Sequence, residues 1–142
     1  KEITAMHIAV RTSLPDNPLF IDGNAEQLGK TIMSLLNNGM YAIAKKYGKK
    51  AYPAEIGLAL ESKDGQAVIR LYDNGVGIEQ SILDKIFDPF FTTKTTGEAA
   101  GIGLYLSKEI ILNHHGQIAV RSEKDELTEF TITLPLWEEK SV

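Results

Sequence analysis

The stretch Asp73-Asn74-Gly75-Val76-Gly77-Ile78 directly follows residues 66–72, in which apolar and polar side chains alternate. This period of two predicts a β-strand, and the carboxylate of Asp73 ends the apolar face that carries Ala67, Ile69 and Leu71. A buried, ionised oxygen needs a hydrogen-bond donor, and no sequence neighbour of Asp73 is an obvious one. The amine of a nucleobase could supply that donor.

Gly75 and Gly77 shape the turn that follows this strand. They remove side chains and permit backbone dihedrals that other residues avoid, so a flat ligand could lie against the backbone there. A strand that ends in an ordinary Asp-Asn-Gly turn would explain the same residues, and it is the simpler interpretation of this stretch alone. The base-binding hypothesis therefore depends on the rest of the chain.

The composition favours one globular domain over residues 1–142, since 43% of the residues are hydrophobic and 24% are charged. The net charge of −4 gives no electrostatic reason to expect a nucleic-acid partner. Because the sequence has no cysteine, disulfides and thiolate metal sites are excluded. Its apolar runs are shorter than the ~18 residues of a membrane span. The chain begins without Met and within a strand pattern, so we expect an excised piece of a longer protein.

The remaining pattern predicts strands and helices in a defined order. A helix is expected from the capping pair Asn24 and Gln27 to about Lys46, with an apolar stripe of Leu28, Ile32, Leu35 and Ile43. Strands are expected over residues 4–12, 19–21, 56–60, 68–73, 117–122 and 128–136, with a hairpin turn at 62–65 and with Met6, Ile8 and Val10 on one face of the first strand. Two further helices are expected, one over 79–86 with Ile82, Leu83 and Ile86 facing inward, and one that ends near His114 with Gly116 as its C-cap.

A polar row lies beside the apolar stripe of the first long helix. Ser34, Asn38, Tyr41 and Lys45 are spaced at i, i+4, i+7 and i+11, so they share one face. The amide oxygen of Asn38 is a suitable hard ligand for magnesium, although such an amide is more often a structural or solvated group. Lys45 could contact a phosphate, but a cation at a helix C-terminus also has a ready structural explanation.

Residues 87–104 combine an aromatic segment, a small polar segment and a glycine-opened helix. Phenylalanines at 87, 90 and 91 precede residues 95–100, which lack an apolar anchor, so we predict a hinged lid with an aromatic base. Gly101 and Gly103 leave backbone N–H groups free at a helix N-terminus, which is a site for phosphate oxygens. His114 and His115 lack a second ligand set nearby and are interpreted as structural. Together, these features could supply metal, base, closure and phosphate contacts of an adenine-nucleotide pocket.

The sequence resembles the catalytic and ATP-binding domain of bacterial sensor histidine kinases, in the GHKL superfamily of ATPases. Residues 34–39 resemble the family's asparagine box, 73–78 its first glycine box, 87–94 its phenylalanine box and 99–104 its second glycine box. Gly116 and residues 130–135 match its closing pattern, so the resemblance covers nearly the whole chain. Four motifs in the right order and spacing make it specific, and the phenylalanine box points to histidine kinases rather than to gyrase-type or chaperone branches.

The resemblance implies an α+β fold, a two-layer α/β sandwich in which a mixed sheet packs against three helices and carries a flexible ATP lid. It also implies a role for each matching residue. Asn38 would hold magnesium, Asp73 would accept a hydrogen bond from the adenine amine, and Gly75, Gly77 and Ile78 would shape the base pocket. Tyr41 and Lys45 would border the sugar or phosphates. The backbone of Gly101, Ile102, Gly103 and Leu104 would meet the phosphates, and Thr93 or Lys94 would reach the terminal phosphate.

The activity that the resemblance implies is transfer of the γ-phosphoryl group from Mg-ATP to a histidine on a separate, helical dimerisation and phosphoacceptor domain of the same protein. A response regulator would then receive the phosphoryl group. The parent protein would be a homodimer, and this domain would be cytoplasmic. The acceptor is expected to lie outside this sequence, because His7, His114 and His115 lack the family's acceptor context.

Several positions depart from the family pattern. Ser34 stands where kinases usually carry Asn and where the hydrolytic branches carry a Glu that activates water, which argues against direct hydrolysis. Gly39 replaces the usual Ala, Ala99 replaces the first glycine of the second glycine box, and Tyr41 replaces the Lys or Asp of many members. Two alternatives stay open: an ATP hydrolase of the superfamily's other branches, and a nucleotide-binding regulatory module without catalysis.

Overall fold

The computed structural model describes residues 8–47, 53–89, 91 and 104–138. Its elements in chain order are β1 (Ala9–Ser13), α1 (Ala25–Tyr47), β2 (Glu55–Lys63), β3 (Gln66–Asp73), α2 (Gln80–Leu83), α3 (Tyr105–Asn113), β4 (Gln117–Glu123) and β5 (Leu127–Pro135). The strands form one sheet in the order β1-β2-β3-β5-β4, in which only the β1–β2 pair is parallel. A mixed sheet with three helices confirms the predicted α+β class. The predicted lid, at 95–100, lies outside the described residues.

The long helix α1 connects the two parallel strands. It begins as predicted, because the Asn24 side-chain oxygen accepts a hydrogen bond from the Gln27 N–H at 2.9 Å. Its buried face carries Thr31, Leu35, Gly39 and Ile43, and its last turn holds Lys45 and Lys46. A parallel pair of strands needs a crossover connection, and α1 supplies it between β1 and β2.

The main core lies between the sheet and the helices. Its buried members come from every layer of the fold: Leu35, Leu71, Ile78, Ile86, Leu104, Ile111, Phe130, Ile132 and Leu134. Phe87 packs against this core and meets the Phe130 ring edge-on, with centroids 6.4 Å apart. The predicted inner face of the last hairpin, with Phe130, Ile132 and Leu134, is confirmed.

Two predicted elements differ in the structure. Residues 19–21 form no strand; the segment makes one backbone bond, from the Trp137 N–H to the Phe20 oxygen at 2.7 Å, and a single bond does not make a ladder. The helix predicted over 79–86 is reduced to α2, because the next N–H groups bond three residues back rather than four, as in Lys85 to Ile82 at 2.9 Å. Ile86 is fully buried even so.

The described part of the first strand begins at Ala9 and is exposed, and residues 4–7 of the strand predicted over 4–12 lie outside the described residues. Ile8 packs against a second small core with Ile43 and Ala54, whereas Val10 is 69% exposed. Because β1 is the sheet's edge strand, the side chain of Val10 is only partly covered.

The end of α3 corrects the predicted role of Gly116. The left-handed cap residue is His115, with φ of 63°, and the His115 and Gly116 N–H groups bond back to the oxygens of Leu112 and Ile111, each at 2.9 Å. Gly116 is needed for a different reason: a Cβ there would overlap the backbone oxygen of Thr133. The glycine therefore lets the turn after α3 lie close against β5.

Candidate functional site

A cavity of about 410 Å³ opens between α1, the loop after β3 and the β4–β5 turn. It brings together six of the residues singled out in the sequence: Asn38, Tyr41, Lys45, Asp73, Gly77 and Ile78. Its other lining residues are Ala42, Val76, Glu79, Ile82, Lys124, Asp125, Thr128 and Phe130. A cavity of this size, with a mostly apolar surface and several polar and charged side chains at its wall, is typical of a small-molecule site.

Asp73 is the buried charge of this cavity, with 6% of its surface exposed. It ends β3 in the middle of the sheet, paired with Ile56 on one side and Thr128 on the other. Burial raises the pKa of its carboxyl group to about 6, and the hydrogen bond from the Gly75 N–H opposes that rise.

The expectation that Asp73 has no local donor was wrong. The Gly75 N–H, two residues further on, donates to Asp73 Oδ1 at 2.9 Å, which is the local turn geometry that Asp favours. Within the described parts of the chain it is the only hydrogen bond to this carboxylate. One donor leaves an ionised group of two oxygens poorly satisfied.

The two glycines of the loop act at different places. Gly77 lines the cavity with φ of 72°, and a Cβ there would overlap the Glu123 oxygen. Gly75 lies behind the wall rather than on it: a Cβ would come within 2.5 Å of the Ala42 backbone. Because Gly75 has no side chain, the loop can dock on α1, where the Val76 N–H donates a hydrogen bond to the main-chain oxygen of Ala42 at 3.2 Å.

Asn74 fixes the other side of the same loop. Its side-chain oxygen accepts from the Glu55 N–H at 2.8 Å, and its amide nitrogen donates to the Pro53 oxygen at 2.8 Å. The side chain is thus occupied with β2 and does not line the cavity. Asn74 therefore positions the glycine turn, while Asp73 beside it faces the cavity.

The β4–β5 turn forms a wall that the sequence did not reveal. Lys124 pairs with Glu79 at 2.7 Å across the rim, and this ammonium holds the pKa of Glu79 below its ordinary value. Lys46 Nζ donates a hydrogen bond to the main-chain carbonyl oxygen of Asp125 at 2.6 Å. A polar turn without a motif gave no signal that it would fold onto the glycine loop.

Ser122 ties that hairpin to the loop from inside. Its hydroxyl accepts a hydrogen bond from the Ile78 N–H at 2.8 Å and donates to the Leu127 oxygen at 2.7 Å. Because its single proton is then used, the contact with the Thr128 hydroxyl at 2.7 Å has Thr128 as the donor. The position of Ile78 beside the cavity thus depends on this buried serine.

Asn38 has the chemistry expected of a magnesium ligand. Its Nδ2 atom is buried without a hydrogen-bond partner in the described portion of the chain, and its side-chain oxygen accepts no hydrogen bond from a described residue either. Magnesium keeps most of its waters and is usually held by one or two protein oxygens together with substrate phosphates, so a single amide oxygen at the cavity wall fits it. Among the described residues there is no group of three His, Asp or Glu side chains that could hold a metal by themselves.

Of the predicted phosphate contacts that follow residue 90, Leu104 alone is among the described residues. Thr93, Lys94, Gly101, Ile102 and Gly103 lie outside the described residues. Leu104 is fully buried in the main core, and its N–H donates to the Ile86 oxygen at 3.2 Å. That backbone donor is therefore already engaged.

The structural interpretation of His114 has direct support. Its Nε2 accepts from the Asn24 N–H at 3.0 Å, and its Nδ1 lies 2.7 Å from the Ile110 oxygen. A neutral ring with its proton on Nδ1 satisfies both contacts. The side chain joins the start of α1 to the end of α3.

Comparison with known proteins agrees with this fold. Residues 23–138 match the family described as histidine kinase-, DNA gyrase B-, and HSP90-like ATPase, and the chain belongs to this family. It is 39% identical over 122 residues to the signal transduction histidine-protein kinase AtoS of Escherichia coli (strain K12), covering 85% of this chain and 19% of that protein. It is 34% identical over 123 residues to sporulation kinase D of Bacillus subtilis (strain 168), covering 87% and 22%.

Among solved structures, a catalytic domain of histidine kinase ThkA superposes with a TM-score of 0.72 at 25% identity, covering 90% of this chain and 78% of that one. The chain spans only about a fifth of the two curated relatives. None of its described helices is long and apolar enough to cross a membrane.

Proposed function

We propose that this chain binds Mg-ATP in the cavity beside Asp73 and transfers the γ-phosphoryl group to a histidine on a separate helical domain of the same protein. Residues 1–142 would then be the catalytic domain of a sensor histidine kinase. The observation that carries the proposal is the buried Asp73 carboxylate at the wall of the cavity of about 410 Å³. It receives a single hydrogen bond from the described residues, in a chain that belongs to an ATPase family.

The base end of the cavity suits adenine. The Asp73 carboxylate accepts from the exocyclic amine, which adds a donor to the single one that the described residues provide. Val76, Ile78 and Phe130 supply apolar wall for the flat ring. Gly77 leaves the backbone bare at the point where the ring would approach it.

The phosphate end lies along the polar row of α1. The Asn38 oxygen is the protein ligand for magnesium, whose charge would neutralise phosphate oxygens during transfer. Lys45 and Tyr41 border the same part of the cavity, next to the sugar and phosphates. Thr93, Lys94 and the backbone of Gly101, Ile102 and Gly103 are proposed to complete the phosphate contacts.

Transfer to a positioned acceptor fits this site better than hydrolysis. Ser34, at the position where hydrolytic relatives carry a Glu, is half-buried and does not line the cavity. A serine beside the site cannot act as the general base that activates water at neutral pH. The acceptor histidine is proposed to lie in another domain of a homodimeric parent, from which a response regulator takes the phosphoryl group; the domain described here would work in the cytoplasm.

Calorimetric titration with a non-hydrolysable ATP analogue and magnesium tests the binding step. We expect binding by the natural chain and a loss of ~10-fold to 100-fold in Asp73→Asn, because a charge-assisted hydrogen bond is worth ~1.5–3 kcal/mol. Asp84→Asn, an exposed carboxylate at the end of α2, is the matched control and should bind normally. Binding that is indifferent to Asp73 would refute the proposed base contact.

The transfer step needs the acceptor. Labelled ATP incubated with this chain and the phosphoacceptor domain of its parent protein should yield acid-labile phosphohistidine on that domain. Steady release of phosphate by the isolated chain would favour a hydrolase instead, and tight binding without transfer would favour a regulatory module.

A further inference from the structure

Thr128 is the cross-strand partner of Asp73, and both residues line the cavity of about 410 Å³. Directly opposed residues on one face of an antiparallel pair have Cβ atoms ~4.5–5.5 Å apart, so a rotation of the Thr128 side chain brings its hydroxyl to the carboxylate. Among the described residues, however, Asp73 accepts a hydrogen bond only from the Gly75 N–H. A hydroxyl donor therefore lies beside a buried carboxylate without donating to it.

The proton of the Thr128 hydroxyl is held by Ser122, on β4. The two hydroxyl oxygens are 2.7 Å apart, and Ser122 Oγ also lies 2.7 Å from the carbonyl oxygen of Leu127. Because a carbonyl oxygen cannot donate, the Ser122 proton points at Leu127 and the Thr128 proton points at Ser122. Both residues are buried, so bulk water does not compete for these protons.

We propose that Ser122 is a positioning residue for base recognition: by holding the Thr128 proton, it keeps the Asp73 carboxylate available to a donor on the ligand. The proposal rests on the function proposed above, in which that donor is the exocyclic amine of the base. Ser122 does not line the cavity, so it acts on the carboxylate through Thr128. This effect is separate from its hydrogen bond with the Ile78 N–H.

The direction of the effect follows from where the Thr128 proton goes when Ser122 is removed. Asp73 Oδ2 accepts no hydrogen bond from a described residue, and a hydrogen bond from a hydroxyl to a carboxylate is short and strong. A donor to the ionised form lowers the pKa of the Asp73 carboxyl group, which is about 6 in the natural chain. The same hydrogen bond would occupy an oxygen that the amine needs.

Thr128→Val distinguishes this effect from a general loosening of the site. Valine has the shape of threonine without the hydroxyl, and Ser122 keeps both its Ile78 donor and its Leu127 acceptor. Thr128→Val should therefore leave the titration of Asp73 unchanged and should cancel the shift that Ser122→Ala produces. A shift caused by water entering a loosened site would remain in the double variant.

The first test needs no nucleotide and follows the carboxyl carbon of Asp73 by NMR across pH. We expect the midpoint to fall by about one pH unit in Ser122→Ala, and to match the natural chain in Thr128→Val and in the double variant. The other titratable side chains of the cavity are the same in all four proteins: Tyr41, Lys45, Glu79, Lys124 and Asp125. Ser81→Ala, the same change at an exposed residue of α2, should leave the midpoint unchanged.

Three outcomes of the NMR titration would overturn the proposal. They are an unchanged midpoint in Ser122→Ala, a lowered midpoint that persists in the double variant, and a raised midpoint in Thr128→Val. The last would show that Thr128 already donates to Asp73 in the natural chain, and it decides the question even if Ser122→Ala does not fold.

The second test is calorimetric titration of the same four proteins with the non-hydrolysable ATP analogue and magnesium. Ser122→Ala should weaken binding by roughly 3-fold to 10-fold, part of the strength of one charge-assisted hydrogen bond, and the loss should be smaller when Thr128→Val is also present. No loss in Ser122→Ala, or an equal loss with and without Thr128→Val, would overturn the proposal. Failure of the natural chain to bind the analogue would instead refute the proposed function, while the NMR midpoints would still decide whether Ser122 holds the Thr128 proton.

Discussion

Replacing Asp73 by Asn should stabilise the free protein while weakening its binding of a base. The carboxylate is 6% exposed and has one hydrogen bond among the described residues, from the Gly75 N–H. An asparagine can accept that same bond through its amide oxygen, and it carries no charge to desolvate. The ionised Asp73 carboxylate therefore destabilises the folded state, and the variant avoids this loss of stability.

The size and sign of this cost follow from the pKa of Asp73, which burial raises from 3.8 to about 6. Because the folded protein keeps this proton to higher pH than the unfolded chain does, the free energy of unfolding falls as pH rises between those two values. A tenfold change in proton affinity is worth about 1.4 kcal/mol, so the loss at pH 7 is about 3 kcal/mol. About 2 kcal/mol of it should accrue between pH 4 and pH 7.

Urea unfolding of both proteins, followed by far-ultraviolet circular dichroism at several pH values, measures this directly. The free energy of unfolding of Asp73→Asn minus that of the natural chain should grow by about 2 kcal/mol from pH 4 to pH 7. A constant offset from the new amide nitrogen does not affect that change. Asp84→Asn should show no comparable growth, since Asp84 is exposed. Parallel curves for Asp73→Asn and the natural chain would show that Asp73 is not desolvated as the structure implies.

Four further outcomes are expected. Affinity for the ATP analogue should fall by up to about tenfold per pH unit below the Asp73 pKa of about 6, and a flat calorimetric profile from pH 5 to 8 would contradict this. Ser122→Ala should lower the free energy of unfolding by ~1–3 kcal/mol in urea melts, because the buried Ile78 N–H loses its acceptor, whereas exposed Ser81→Ala should not. Gly29→Ala should raise the melting temperature through a gain of up to about 1 kcal/mol in helix propensity. An unchanged or lower melting temperature would show that there is no free space for a methyl group at this position. Gly116→Ala should cost ~1–3 kcal/mol through overlap with Thr133, and a neutral effect in the same melts would show that α3 can shift.

The periodic parts of the fold were predictable from the sequence. The alternation that ends at Asp73 and the stripe of α1 each report burial on one face, so strand β3, helix α1 and the last hairpin were assigned correctly. Segments with weak periodicity were not. Residues 19–21 are apolar but pair with no strand, and α2 stops early because its continuation forms three-residue turns.

The site was predictable where a motif carried it. Asn38, Asp73 and Gly77 were singled out, and all three line the cavity. The wall formed by Lys124 and Asp125 was missed, because it depends on how one turn docks onto a distant loop. The two glycines could not be told apart either: that Gly75 meets α1 while Gly77 faces the β4–β5 turn is a consequence of tertiary packing.

The energetics of Asp73 favour one of the two interpretations that its sequence allowed, the contact with a base. If residue 73 were needed only to end β3 in a turn, an asparagine there would accept the hydrogen bond from the Gly75 N–H equally well. It would also avoid the loss of about 3 kcal/mol in the free energy of unfolding at neutral pH. Among the described residues there is no second donor to offset that loss, and behind the carboxylate lie the bare backbone of Gly39 and apolar side chains. On the other side of the carboxylate is the cavity. A buried charge left short of donors on a cavity wall is explained when the missing donor belongs to a ligand, and an amine on a flat base fits both the space and the charge.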